Sequence, residues 1–201
     1  MEYKQEEIFM RTAEMHRVTT ETDIELYLNL DGSGAADIEC DCGFLTHMLT
    51  LFAAHSGFDL KIRCRGDSEV DFHHTTEDIG ITLGEALKRA LGDKRGIARY
   101  ASFMMPMDET LILVGLDISG RSGLFADIRL PAEKVGDFDS ELCLEFLQAL
   151  VRSADITLHI KQLEGQNTHH IIEAVFKGLA RAFRTAVKVE GDRLPSTKGV
   201  L

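Results

Sequence analysis

Apolar and polar positions alternate with a period of two through 22–30, 58–64, 111–118, 124–130 and 155–163, and the pattern predicts half-buried strands there. Glycine turns such as Asp31-Gly32 and Ser119-Gly120 set them off. Elsewhere apolar residues recur every third or fourth position, as in Ile79, Leu83, Leu87 and Ala90, and helices are predicted over 43–56, 76–91, 139–152 and 170–188. The chain has only 3 prolines, and none interrupts these helices. The stretch 191–201 has neither period and reads as an irregular polar tail.

A longer period lies over the short ones. His73-His74-Thr75-Thr76-Glu77 returns as His169-His170-Ile171-Ile172-Glu173, displaced by 96 positions, and the apolar positions that follow (79, 83, 87, 90 and 175, 179, 183, 186) match under the same displacement. Glu21-Thr22 before DIELYLNLDG is echoed by Glu109-Thr110 before LILVGLDISG, displaced by 88. The order strand, helix, strand, His-His-x-x-Glu helix thus occurs twice. It predicts an α+β fold made by internal duplication, each half a small mixed sheet with two helices on one face, divided near Ile97-Ala98-Arg99 into repeats 1–97 and 98–201.

Composition narrows the partners. At 44% hydrophobic and 27% charged, the 201 residues can bury a core, and no apolar run reaches the length of a membrane span. The start MEYKQEEIFM lacks the basic flank and long apolar stretch of a leader, so the cytoplasm is the expected location. A net charge of -11 and the lack of a basic stripe with interleaved aromatics argue against nucleic acid, while leaving room for a local Arg and Lys pocket that takes one small anion. Cys40, Cys42, Cys64 and Cys143 form no Cys-x-x-Cys pair and are read as reduced thiols.

The histidine pairs lie off the buried stripe. With Leu83 at zero on a wheel of 100° per residue, Ile79 and Leu87 fall within about 40°, and His73, Glu77 and His74 near about 80°, 120° and 180°. His169, Glu173 and His170 take the same angles relative to Leu179. A histidine and a glutamate at i, i+4 can converge on one ion, whereas adjacent histidines diverge by about 100° and feed different ions. Each motif therefore serves two metals. The six residues fall short of two four-ligand shells, and His47 and His159 are the best candidates to complete them, ahead of His16 and His55. Imidazole and carboxylate without thiolate suit Mn, Fe or Zn, and open positions suit catalysis. Neither His-Glu-x-x-His nor its inverted form is present, which removes the usual protease templates.

TTETDI (19–24), GFLTHM (43–48), FHHTTED (72–78), LGDKRGIARY (91–100), PMDET (106–110), DISGR (117–121), TLHI (157–160), NTHHIIEAVFK (167–177) and LPSTKGVL (194–201) together resemble the imidazoleglycerol-phosphate dehydratase family, over roughly residues 11 to 201. The resemblance implies a duplicated fold like domain 2 of ribosomal protein S5, two Mn ions per active site, and trimers assembled into a 24-mer with sites between subunits. Carried over residue by residue, it implies His47, His73, Glu77 and His170 for one ion and His74, His159, His169 and Glu173 for the other. It implies contacts from these ligands, His159 excepted, and from Glu21, Arg99, Arg121, Lys177, Ser196 and Lys198 to a small phosphorylated imidazole, with Glu21, Glu77 and Glu173 in catalysis. The chain departs from the family pattern at Thr46, where Asp is usual, at Cys40-Asp41-Cys42-Gly43, and at Ser122 in place of Pro. Thr46 is expected to weaken a hydrogen bond that orients His47.

The implied reaction converts imidazole glycerol phosphate to imidazole acetol phosphate and water, through a metal-bound imidazolate and a diazafulvene. Glu21 is the expected proton-transfer group, with Glu109 its remnant in the second half. Two other readings remain open at this point: a di-metal phosphoester hydrolase on the same ligands, and a non-catalytic S5-like binding module.

Overall fold

The computed structural model describes residues 10–201. Two sheets of one topology carry the fold. The first joins β1 (Thr12–Val18), β2 (Thr22–Asn29), β4 (Asp59–Gly66) and β3 (Ala36–Glu39) in that spatial order, and the second joins β5 (Tyr100–Met107), β6 (Thr110–Asp117), β10 (Thr157–Glu164) and β7 (Gly123–Asp127). In each, the first two pairings are antiparallel and the last is parallel. Helices α1 (Gly43–Ser56) and α2 (His73–Leu91) belong to the first half, and α3 (Leu142–Ala154) and α4 (Thr168–Ala186) to the second. The duplication expected from the sequence is therefore present in the order and the pairing of the elements. The second half adds a hairpin of two-residue strands, β8 (Lys134–Val135) and β9 (Phe138–Asp139).

The central strands show why the sheets face as they do. Thr22, Ile24, Leu26 and Leu28 of β2, and Thr110, Ile112, Val114 and Leu116 of β6, alternate inward and are buried. All four helices cover the inner faces, with α1 beside α4 and α2 beside α3, so each half packs its helices on those of the other and one core runs through both. Phe52, Phe58 and Phe183 meet edge to face with centroids 5.9–6.4 Å apart, tying α1 to α4. At the other pair the approach is closer still. A Cβ on Gly80 would stand 2.8 Å from the carbonyl oxygen of Phe146, and one on Gly84 2.7 Å from that of Leu150, so α2 presents bare backbone to α3.

Besides the short β8–β9 hairpin, three strands of the two main sheets escape the period-two reading. β1 buries only Ala13, β3 has four residues, and β5 is an apolar run interrupted by Pro106. All three are edge strands, where alternation is weak and proline is tolerated. Residues 191–201 contain no helix or strand, as expected. They are nevertheless anchored: the Gly96 N–H donates to Arg193 and an Arg99 Nη1 N–H to the Pro195 carbonyl. No helix among the described residues is long and apolar enough to cross a membrane.

Candidate active site

The histidine pairs open α2 and α4, and polar side chains before them fix those first turns. The Asp71 carboxylate accepts from the His73 N–H at 2.7 Å, and the Asn167 side chain accepts from the N–H groups of His169 and His170 at 2.9 and 3.3 Å. The ring planes of each pair stand nearly perpendicular, at 89° for His73 and His74 and 80° for His169 and His170. In the second pair the adjacent rings meet different partners, Glu173 for His169 and Glu109 for His170, as the helical spacing requires.

At α4 three donors converge. One ligand atom each from His47, His169 and Glu173 lies within 4.8 Å of the others, with Glu173 Oε2 3.1 Å from His169 Nε2 and 3.4 Å from His47 Nε2. Ligand atoms at about 2 Å from one ion stand roughly 3 Å apart at right angles, so a nitrogen, nitrogen, oxygen set with this spacing fits Mn, Fe or Zn. The wheel is corrected at Glu173, which is only 6% exposed because α1 closes over that side of α4. Its other oxygen, Oε1, takes the Lys177 ammonium at 2.5 Å. Burial works to raise the Glu173 pKa, but Lys177 and the two histidines bring it below the ordinary value. Lys177, expected to touch substrate, is thus committed in this chain to holding Glu173 and lies 3.5 Å from Met107 Sδ.

At α2 the neighbours differ. Glu77 Oε1 accepts from Arg152 Nη2 of α3 at 3.1 Å. His74 Nδ1 is 2.9 Å from Asp67 Oδ2, and Glu21 Oε1 is 3.9 Å from His74 Nε2. The counterpart in the second half is His170 Nδ1, 2.7 Å from Glu109 Oε2, with Asp108 3.7 Å from its Nε2. These carboxylates raise both histidine pKa values, chiefly through the hydrogen bonds of Asp67 and Glu109. Glu109 in turn is held far below the usual carboxylate range by His170 and by the N–H groups of Asn167 and Gln166. It is no idle remnant of Glu21. Asp67, Arg152 and the role of Glu109 were missed by sequence reasoning, although the echo of Glu21 marked the position of Glu109.

Two of the implied ligand groupings are not brought together by one chain, as expected for sites between subunits. His47 meets the α4 motif, not His73, Glu77 and His170, because α1 packs on α4 while α2 packs on α3. The division of ligands between ions implied by the resemblance therefore does not form inside one chain, and among the described residues no hydrogen bond, ion pair or ring contact joins the two motifs. His159 joins neither cluster. It is on the exposed outer face of β10, opposite the helices, stacked 4.6 Å from the Phe125 ring. The fold indicates what occupies the place matching His47. The buried positions 45, 48, 49, 52, 53 and 56 of α1 coincide with 143, 146, 147, 150, 151 and 154 of α3, and Gly57 and Asp155 end both helices in the left-handed region. That displacement of 98 brings His47 onto Glu145, in the first turn of α3.

The expected phosphate contacts gather elsewhere. Arg99 is buried, has φ 72, and grips Asp117 through Nε and Nη2 at 2.7 and 3.2 Å while its Nη1 reaches Pro195. This ties the tail, with Ser196 and Lys198 in one turn, beside Arg121: the Lys198 N–H donates to Ser196 Oγ at 3.2 Å, and a Cβ on Gly120 would stand 2.6 Å from the Leu201 carbonyl carbon. Arg121 is exposed, and its carbonyl accepts from Thr157 at the start of β10. Thr46 donates to the Cys42 carbonyl at 3.0 Å and makes no hydrogen bond to His47. His16 pairs with Asp23 at 2.8 Å on an outer face, and His55 sits in the last turn of α1, its pKa lowered by burial, Lys177 and Arg181. The four cysteines are free thiols.

Comparison with known proteins agrees with this fold. The family model for imidazoleglycerol-phosphate dehydratase matches residues 40–183. Proteins of that name from Methylorubrum populi and Azorhizobium caulinodans are 56% and 54% identical over 195 residues, covering 96% of this chain and 100% and 99% of theirs. The crystal structure of the enzyme from Staphylococcus aureus superposes with a TM-score of 0.81 at 43% identity, over 89% of this chain and 99% of that one. The structure of the enzyme from Pyrococcus furiosus gives the same TM-score and identity over 93% and 100%. By its paired motifs, its duplicated fold and its likeness to these proteins over nearly its whole length, the chain belongs to the imidazoleglycerol-phosphate dehydratase family, lyases of histidine biosynthesis.

Proposed function

We propose that the protein dehydrates imidazole glycerol phosphate to imidazole acetol phosphate with two manganese ions per site, and that each complete site is shared between subunits of a trimer-based 24-mer. The convergence of His47, His169 and Glu173 supports this reading most directly. When bound, the ions would act as Lewis acids on the substrate's imidazole and favour its imidazolate form.

Three further observations support shared sites. The α2 and α4 motifs do not meet in one chain, so a sphere drawing on both needs a neighbour. Arg121 and the tail lie at the start of β10 and the α4 motif beyond its end. The eight residues of that strand span about 26 Å at roughly 3.3 Å each, longer than a glycerol phosphate. His159, on an exposed sheet face, could act only towards another molecule.

The hydrogen at C2 of the substrate is not acidic at the outset. Ring electrons would then expel the C3 hydroxyl, which would leave as water with the proton given up by the ring N–H, and the resulting diazafulvene would have an acidic C2 hydrogen. Glu21 would take that proton, giving the enol that tautomerises to the ketone. Glu21 suits this work because it is half-exposed and beside His74 without being bound to it. Glu77 and Glu173 each keep one oxygen on a cation, Arg152 or Lys177, which leaves the other for an ion. Arg99, Arg121, Ser196 and Lys198 would hold the phosphate by charge-assisted hydrogen bonds.

Purified protein stripped by a chelator should lose activity on imidazole glycerol phosphate and regain it with manganese, with the acetol phosphate as product. Release of inorganic phosphate instead would favour a hydrolase, and full activity after stripping would end the metal reading.

A further inference from the structure

We propose that Asp67 and Glu109 are positioning residues, each holding Nδ1 of the second histidine of its motif so that Nε2 is presented for an ion, and that Asp67 is what leaves Glu21 free beside His74. This rests on the manganese reading above.

The hydrogen bonds are matched. Asp67 Oδ2 stands 2.9 Å from His74 Nδ1, and Glu109 Oε2 2.7 Å from His170 Nδ1. An ionised carboxylate only accepts, so each bond assigns the proton to Nδ1 and the lone pair to Nε2. Asp67 has little choice of partner: its side chain is 19% exposed, and its Oδ1 is buried without a partner. Removing His74 from Oδ2 would leave a largely desolvated charge with no donor. Glu109 is fixed differently, its Oε1 accepting from the N–H groups of Gln166 and Asn167 at 3.1 and 2.9 Å while Oε2 addresses the histidine.

The two halves reach this arrangement by different residues. Thr22 and Thr110 both open the central strand and are both buried, so Glu21 and Glu109 are counterparts under the displacement of 88. His74 and His170 are counterparts under 96. In the second half the glutamate holds Nδ1; in the first it lies 3.9 Å from Nε2, the opposite edge of the ring. The Nδ1 position is filled there by Asp67, on the connection from β4 to α2. The shorter connection from β10 to α4, residues 165–167, carries no carboxylate, and its Gln166 and Asn167 N–H groups hold Glu109 instead. The carboxylate position that Glu109 fills in the second half thus has two occupants in the first, with orientation falling to Asp67 and access to the metal-facing edge to Glu21.

The test is manganese affinity, read by the electron paramagnetic resonance signal of free Mn2+ during titration of the assembled protein, with apo thermal midpoints alongside. Asp67→Asn and Glu109→Gln should each weaken binding by about tenfold or more, as losses of such partners do elsewhere. Glu21→Gln should leave it within about twofold. Unchanged affinity in both Asp67→Asn and Glu109→Gln, with wild type binding manganese, would overturn the positioning role while sparing the manganese reading. Equal weakening by Glu21→Gln and Glu109→Gln would overturn the division of labour. A wild type that binds no manganese would overturn the earlier reading itself.

Discussion

Single residues divide by whether their chemistry leaves a trace in the pattern. The histidine pairs and their glutamates could be found because they repeat in phase and lie off the apolar stripe. Asp67 could not, since an acidic residue on a connection has no period. His159 had a suggestive type and neighbourhood in the sequence, yet strand alternation turns it outward between inward Leu158 and Ile160. Lys177 is one turn on from Glu173, and that i, i+4 spacing marks it as an ion-pair partner as well as a candidate substrate contact. For Glu21 the consequence is direct: Glu21→Gln should lower kcat on imidazole glycerol phosphate by about a hundredfold or more, the range of a lost proton-transfer group. The substrate KM should move far less. Stopped-flow or steady-state formation of the acetol product measures both, and near wild-type turnover would remove Glu21 from proton transfer.

Elements were legible where one face is buried and the other wet. The expected helix 43–56 matches α1 at both ends, since Gly43 opens it and Gly57, at φ 79, stops it. Edge strands blurred because their inward positions are weak or polar: Arg17 of β1 reaches Asp78 instead of the core. The α2 wheel was too narrow. Burial also takes in Thr75, Thr76, Gly80, Thr82 and Gly84, because α3 covers a second side that carries small and hydroxyl residues instead of large apolar ones.

The β2–β3 connection shows an element held by one carboxylate. Asp59 Oδ1 accepts from the N–H groups of Ser33 and Ala35 at 2.8 and 3.1 Å, and Oδ2 from Asn29 at 3.3 Å. The Ser33 N–H leads in holding the Asp59 pKa below 3.8. A depressed carboxylate contributes stability that is complete above its unfolded value and fades as pH falls through the folded one. Asp59→Asn should therefore cost stability at pH 7 and make acid unfolding below about pH 4 less steep. Urea midpoints measured from pH 7 to 2 would show it; parallel curves for variant and wild type would exclude the contribution.

At the scale of the whole molecule, duplication is visible both as sequence echo and as sheet topology, but how the halves meet is not. Nothing in the periodicity says that α1 pairs with α4 and α2 with α3, and that pairing places His47 beside the second motif and Arg152 beside the first within one chain. Gly80 and Gly84 hold the clue, although their meaning depends on a partner helix that the sequence does not identify. Gly84→Val should force α2 from α3, costing about 1–3 kcal/mol from overpacking. Urea unfolding would register that cost, and an unchanged midpoint would mean the seam can open freely.

The same seam governs the order in which the chain can fold. The bare face of α2 is made early in synthesis, but its cover, α3, spans Leu142–Ala154, some seventy residues later. Until that segment leaves the ribosome, the first half has a helix with an uncovered side and part of its core open to water. Folding must then close a long loop before the early contacts are rewarded, so the two halves are expected to reach the native state in one late, shared step.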